Sequence, residues 1–145
     1  MPEQLLFVNI PVASVAKSRT FFGDALGWEF DDRFSDETTA CMKVNEGAYF
    51  MLLEHERFDG FAPSGTHADL STGDAQLLTF SVESREAVDA TLEKVIAAGG
   101  TETNKAEDHG FMYSRAFYDL DGQGWSAMWM DPAVAAGEAP VEHSD

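Results

Sequence analysis

The sequence predicts an α+β fold of two βαβββ repeats, which form a cupped mixed sheet with the helices on the outside. Three observations predict it. An offset of 70 residues lays one half on the other: Val8, Ile10 and Val12 fall on Leu78, Phe80 and Val82, Ser14 on Ser84, and Phe22 on Leu92. In both copies a period-two alternation of apolar residues gives way to helical spacing just after the serine. Each helical stretch is then followed by three further runs of strand character, bounded by turn residues.

Each copy opens on a strand, "VNIPV" in the first and "LTFSV" in the second. Ser14 and Ser84 stand where a helix begins, placed to accept hydrogen bonds from backbone N–H groups that have no partner in the first turn. Val15, Arg19 and Phe22 mark the first helix, and Val88, Leu92, Val95 and Ile96 give the second an apolar stripe. Gly27 and the pair Gly99–Gly100 end these helices, where a residue without Cβ costs least. Strands follow at roughly 28–34, 39–45 and 48–54, with "NEG" turning between the last two. In the second copy they fall at roughly 101–105, 112–118 and 125–130, with "DLDGQG" as the corresponding turn. That turn superficially resembles the opening of an EF-hand calcium loop, but Gly follows the second acid at once and the closing Glu is missing, so it reads as a hairpin turn.

These boundaries describe one domain over 1–132, with repeat one at about 5–54 and repeat two at about 77–131. The polar stretch 55–76 joins them and reads as a long connecting loop, the kind that serves as a lid or binding loop or is simply mobile. The tail 133–145 is expected to be disordered.

Composition narrows the function. An apolar content of 44% with 12% aromatics supports a packed core and argues against global disorder. The 26 acidic residues against 9 basic ones leave a net charge of −17, which repels phosphate backbones and argues against a nucleic-acid partner. The acids are spread along the chain, as expected for a charged solvated surface; attraction of cationic small molecules is the alternative. Cys41 is the only cysteine, so no internal disulfide framework forms, and a reducing cytoplasm fits. It sits in "TACMKV" and reads as a small buried apolar residue. The opening "MPEQLLFVNIPV" has neither a cationic n-region nor a long apolar run, which predicts no export signal, no membrane span and a cytoplasmic setting.

Strand parity locates the candidate pocket. With Val8, Ile10 and Val12 facing a helix, Phe7, Asn9 and Pro11 turn to the other side; Leu77 and Thr79 do the same in repeat two. The expected lining is Phe7, Asn9, Tyr49, Met51, Leu53, Leu77, Thr79, Ser126 and Met128, an apolar, Met-rich surface with few polar groups. The Asn9 amide needs partners, supplied either by a ligand or by a neighbouring strand or water. Arg115 belongs to the pocket or to a solvent edge, because a guanidinium packed under a helix would be costly. In the pocket it would hold a carboxylate or enolate oxygen; at the rim it would pair with surface acids. Tyr113 shares its parity. Trp125, Ala127 and Trp129 share the opposite role and are expected to pack beneath a helix.

The paired βαβββ unit, with "P-V-x-S-x-x-x-S-x-x-F-F…L-G" early and "D-x-D-G-x-x-W" late, resembles the vicinal oxygen chelate superfamily over about residues 5–132. That group includes glyoxalase I, extradiol dioxygenases, fosfomycin resistance proteins and bleomycin resistance proteins. In metal-dependent members the resemblance implies an ion held by side chains from the first and last strands of each repeat. Carried onto this chain, those positions are Phe7, Met51, Leu77 and Ser126. Phe and Leu offer no lone pair, a thioether is soft and a hydroxyl is weak, so no metal site is expected and no cofactor. Ser126 then marks an abandoned ligand position. His55, His67, His109 and His143 all fall outside strand interiors, where a lone histidine is more often solvated than coordinating. Glu54 lies near Met51 but on the other strand face, barring a bulge.

Two functions are therefore carried forward. The first is a metal-free, bleomycin resistance-like protein that binds a small organic molecule, as a homodimer, which the resemblance implies. The alternative is a metal-dependent lyase, isomerase or dioxygenase of the same superfamily using displaced ligands. A dimeric interaction module with a collapsed cup is a third class.

Overall fold

Period-two alternation becomes paired strands, and the serines become helix caps, in the computed structural model of the chain, which describes residues 4–140. The chain divides into two compact units, Met1–Gly73 and Asp74–Asp145. The dividing point falls inside the connecting segment.

Unit one holds β1 (Leu6–Val12), α1 (Val15–Leu26), β2 (Glu29–Phe30), a 3₁₀ turn (Asp32–Phe34), β3 (Thr39–Asn45), β4 (Ala48–Glu54) and α2 (His55–Phe61). Its four-stranded sheet has the order β1-β4-β3-β2. β1 runs parallel to β4, with Phe7 beside Tyr49 and Asn9 beside Met51; β3 runs antiparallel to β4, with Cys41 beside Met51. Ser14 caps α1 by accepting from the Lys17 N–H, and Gly27 ends it at φ 67°, a left-handed conformation open to glycine. Ile10, Val12, Ala40, Met42 and Leu52 are buried against α1, which contributes Val15, Phe21, Phe22 and Ala25. The connecting segment is not loop throughout. It opens with the two-turn helix α2, which lies against β1 and β4.

Unit two repeats the plan: β5 (Leu77–Ser81), α3 (Arg85–Ala97), β6 (Thr101–Asp108), β7 (Met112–Tyr118), β8 (Gly124–Met130) and α4 (Pro132–Ala135). Its sheet order is β5-β8-β7-β6, with β5 parallel to β8. Ser84 caps α3 through the Ala87 N–H at 3.0 Å. Val88, Leu92 and Val95 are buried over Phe117, Trp125 and Ala127. The expected disordered tail instead opens with α4, capped by Asp131, whose side chain accepts from the Ala133 N–H at 2.9 Å. Residues 141–145 of that tail, His143 among them, lie outside the described residues.

Candidate functional site

In unit two, in-register pairing fixes which side chains share the face turned away from α3. Leu77, Thr79 and Ser81 of β5 stand beside Gly124, Ser126 and Met128 of β8, which in turn oppose Tyr118, Ala116 and Ser114 of β7. At the Leu77 end of this face lies a pocket of about 170 Å³ bordered by Asp74, Gln76, Leu77, Thr103, Tyr118 and Gly124. Gly124 is what opens it. A Cβ there would stand 3.6 Å from Leu77 Cδ1 and 3.7 Å from Tyr118 Cε1, inside the space those side chains border.

The rim is held from two sides. The Tyr118 hydroxyl donates to Asp74 Oδ1 at 2.8 Å, and that bond to a carboxylate raises the phenol above its usual range. Gln123, fully buried, donates from Nε2 to the Gln76 carbonyl at 2.9 Å and to the Gly124 carbonyl at 2.8 Å. Its Oε1 accepts from Gln76 Nε2 at 3.2 Å. Gln123 is placed in turn by the hairpin turn that begins at Asp119. Asp119 Oδ1 accepts from the backbone N–H groups of Asp121 at 2.8 Å and Gln123 at 3.1 Å, while Oδ2 accepts from the Trp125 indole at 3.0 Å. Burial pushes the Asp119 carboxyl up to about 6, against the opposing pull of those three donors. These bonds give the turn residues a purely structural use.

Arg115 and Tyr113 do not belong to this face, and the expectation for them is corrected. Both share the parity of Phe117 and lie on the α3 side, Arg115 opposite Ala127 and Tyr113 opposite Trp129. Arg115 is bound through Nε and Nη2 to both Glu102 oxygens at 2.7 Å and through Nη1 to Asp89 at 2.8 Å. The Tyr113 hydroxyl donates to the same Asp89 oxygen at 2.7 Å. Two carboxylates meet the cost that argued against a guanidinium under a helix. They hold Arg115 above its usual value, and the Tyr113 hydroxyl, with Arg115 after it, holds Asp89 below its own.

In unit one the face turned away from α1 carries Phe7 and Asn9 of β1, Tyr49, Met51 and Leu53 of β4, and Thr39, Cys41 and Lys43 of β3. Phe7 is 49% exposed and its ring stacks on Tyr49 at 5.1 Å. Asn9 is exposed as well, so its amide has solvent for a partner. Leu53 and Cys41 are buried, and burial raises the Cys41 thiol. Thr39 Oγ1, on the same face, is the buried side-chain oxygen without a hydrogen-bond partner among the described residues. Lys43 reaches Glu46 at 2.9 Å.

The four positions onto which the resemblance carries metal ligands hold Phe7, Met51, Leu77 and Ser126 on these faces, and their chemistry does not fit a hard or borderline divalent ion. The displaced candidates are engaged elsewhere. Glu54 lies on the α1 face, where its Oε2 accepts from the Val15 N–H at 3.0 Å. His67 bonds Asp59 at 2.8 Å while its ring stacks on His55, and His109 bonds Glu107 at 3.1 Å. Among the described residues no three His, Cys, Asp or Glu side chains gather as an ion would need.

Each four-stranded sheet, with one helix-packed and one open face, has the βαβββ arrangement that the resemblance to the vicinal oxygen chelate superfamily implies. Residues 4–45 match the family model described as bleomycin resistance protein-like N-terminal. Among solved structures, the chain is similar to a glyoxalase/bleomycin resistance protein/dioxygenase family enzyme from Burkholderia phytofirmans PsJN, at 19% identity over 88% of this chain and 98% of that one, with a TM-score of 0.75. It is similar to a glyoxylase/bleomycin resistance protein/dioxygenase domain from Frankia sp. EAN1pec, at 24% identity over 90% and 99%, TM-score 0.65. A mutant of the fosfomycin resistance protein FosX from Listeria monocytogenes, solved with Mn(II) and 1S,2S-dihydroxypropylphosphonic acid, matches at 19% identity over 88% and 90%, TM-score 0.64. At these identities the likeness establishes the fold. No curated protein matches the chain in sequence.

Asp74, Gln76, Thr103, Tyr118 and Gly124 were not among the residues the sequence singled out. One signal was available: assigning Phe117 to the helix side, with Trp125 opposite, puts Tyr118 on the pocket side and removes Tyr113 and Arg115 from it.

Proposed function

We propose that this protein binds a small organic molecule without a bound metal ion, in the manner of bleomycin resistance-like proteins, at the pocket on the open face of its second repeat. The carrying observation is the lining itself. Where metal-dependent relatives place a ligand, Leu77 contributes an apolar wall, and beside it stand one carboxylate, one phenol and two further polar side chains. Thr79, Ser126 and Met128 extend the same face, and Phe7, Asn9, Tyr49, Met51 and Leu53 give unit one a comparable apolar face. A homodimer belongs to this reading, supported by the exposure of Leu6 at 61%, Phe7 at 49% and Leu77 at 62%. So do a cytoplasmic setting, supported by the single free Cys41, and the absence of a nucleic-acid partner, supported by the charge of −17. No helix is long and apolar enough to cross a membrane among the described residues.

The deciding experiment combines elemental analysis of the purified protein with melting curves in the presence and absence of EDTA. Less than a tenth of an equivalent of any divalent metal, and a midpoint that EDTA leaves unmoved, is the expected result. A stoichiometric ion whose removal lowers the midpoint by several degrees would instead favour the metal-dependent lyase, isomerase or dioxygenase.

A further inference from the structure

We propose that the ligand of this pocket is a small organic cation, an ammonium group carried on a compact apolar body, an inference that rests on the pocket being a binding site at all. Asp74 is the charged residue of its lining, and neither a lysine nor an arginine borders it. An anion entering this space would meet a carboxylate and find no guanidinium or ammonium to pair with. The phosphonate of the FosX complex is therefore a poor guide to this chain's ligand.

The carboxylate is oriented for the task. Tyr118 fixes Oδ1 from the strand side, and among the described residues Oδ2 accepts no hydrogen bond. An ammonium carries three donors and no acceptor, so it needs a surface rich in acceptors. The Asp74 carboxylate supplies them, and Gln76 and Thr103 are the other acceptor-bearing residues that border the pocket with it. Leu77, Ala116 and the bare Cα of Gly124 offer the opposite chemistry, a shallow apolar floor for the body of the ligand. The volume of about 170 Å³ sets the size. It lies below the roughly 300–1,000 Å³ of pockets that hold drug-sized molecules, which limits the occupant to about one ring with a short arm. The net charge of −17 acts in the same sense at longer range, drawing cations toward the surface and repelling anions.

Three probes of one shape separate charge from shape: benzylamine, benzyl alcohol and benzoate. Each is titrated at millimolar concentration, pH 7 and low salt, into the full-length protein, observed by amide NMR and calorimetry. The expected result is that benzylamine shifts the amides of Leu77, Thr103 and Gly124 and binds about tenfold more tightly than benzyl alcohol, while benzoate does not bind. Asp74→Asn should erase the difference between amine and alcohol. Gly124→Ala, whose added methyl meets only ordinary contacts, should leave the folded spectrum intact and weaken amine and alcohol alike by taking up part of the pocket. If the alcohol or benzoate binds there as tightly as the amine, or if Asp74→Asn keeps the preference, the charge inference is overturned while the pocket reading stands. If none of the probes perturbs these residues, both are overturned.

Discussion

Asp119 shows how one side chain can couple the chemistry of a turn to the stability of the chain. Its folded carboxyl titrates near 6, above the ordinary 3.8, so between those values the folded state holds a proton that the unfolded state has released. Its contribution to stability therefore falls as pH rises through that window. Above it, ionising Asp119 costs about 3 kcal/mol. Other carboxylates act oppositely: Arg85 holds Asp108 down to about 2, and that contribution is lost as pH falls. Comparison with Asp119→Asn isolates the one effect. The wild-type minus variant stability measured in urea should decline between pH 4 and pH 6, with a carbon-13 titration of the Asp119 carboxyl centred near 6. A midpoint below 4 would sink the idea. Arg115 supports a second prediction. Its side chain is 20% exposed between Asp89 and Glu102. Arg115→Ala leaves two carboxylates facing each other and should cost about 2 kcal/mol in urea unfolding. Because Arg115 sits on the α3 side, benzylamine affinity should stay within about twofold of wild type; a larger loss would return it to the pocket.

At the scale of elements, glycines that look alike in the sequence behave in opposite ways. A Cβ on Gly100 would fall 2.5 Å from Val95 Cγ1 and 3.1 Å from the carbonyl oxygens of Val95 and Tyr118. Val95 is fully buried and the other two atoms are backbone, so nothing there yields easily. Gly100→Ala should destabilise by about 2 kcal/mol. Gly23 lies mid-helix in α1 with open space around its Cα, and Gly23→Ala should stabilise by roughly 0.5–1 kcal/mol. Chemical denaturation of both variants tests the contrast, and equal effects would show that the α3–β6 connection is looser than its packing implies. Most elements were legible because their signals are local. The alternation in β1 and β5, the caps Ser14 and Ser84 and the stop at Gly27 need no tertiary information. What escaped depends on distant partners. β2 shrinks to two residues because Asp31 and Asp32 favour the capped 3₁₀ turn that follows. The helix α2 has only Phe58 and Phe61 for an apolar face, and Phe61 is 69% exposed, so its packing on β1 and β4 is weakly written in its own residues. Arg115 was placed by the cost of burying a charge, and that cost is met by Glu102 and Asp89, 13 and 26 residues away. The pocket rim escaped for the same reason: Asp74 and Tyr118 meet across 44 residues.

Across the whole molecule the surplus of negative charge sets the response to salt. The described ion pairs engage Arg19, Arg33, Lys43, Arg85 and Arg115, while 26 acids face only 9 bases. Most carboxylates therefore have like-charged neighbours, and folding brings them closer together. Added salt acts on two quantities of opposite sign. It weakens the exposed pairs, each worth about 0–1 kcal/mol, and it weakens repulsion summed over a surface with a net charge of −17. The repulsive sum involves many more pairs and longer separations, and screening removes long separations first, since the Debye length falls from about 30 Å at 0.01 M to about 3 Å at 1 M. Repulsion should win. The melting midpoint at pH 7 should rise by several degrees between about 10 mM and 1 M sodium chloride, most steeply in the first few tenths molar. Chloride rather than sulfate keeps surface exclusion small, so the early rise reports screening. At pH 4, where many of the carboxylates are protonated, the same titration should be much flatter. A midpoint that falls with salt at pH 7 would mean that the few ion pairs outweigh the whole acidic surface, and the long-range attraction invoked for a cationic ligand would lose its basis.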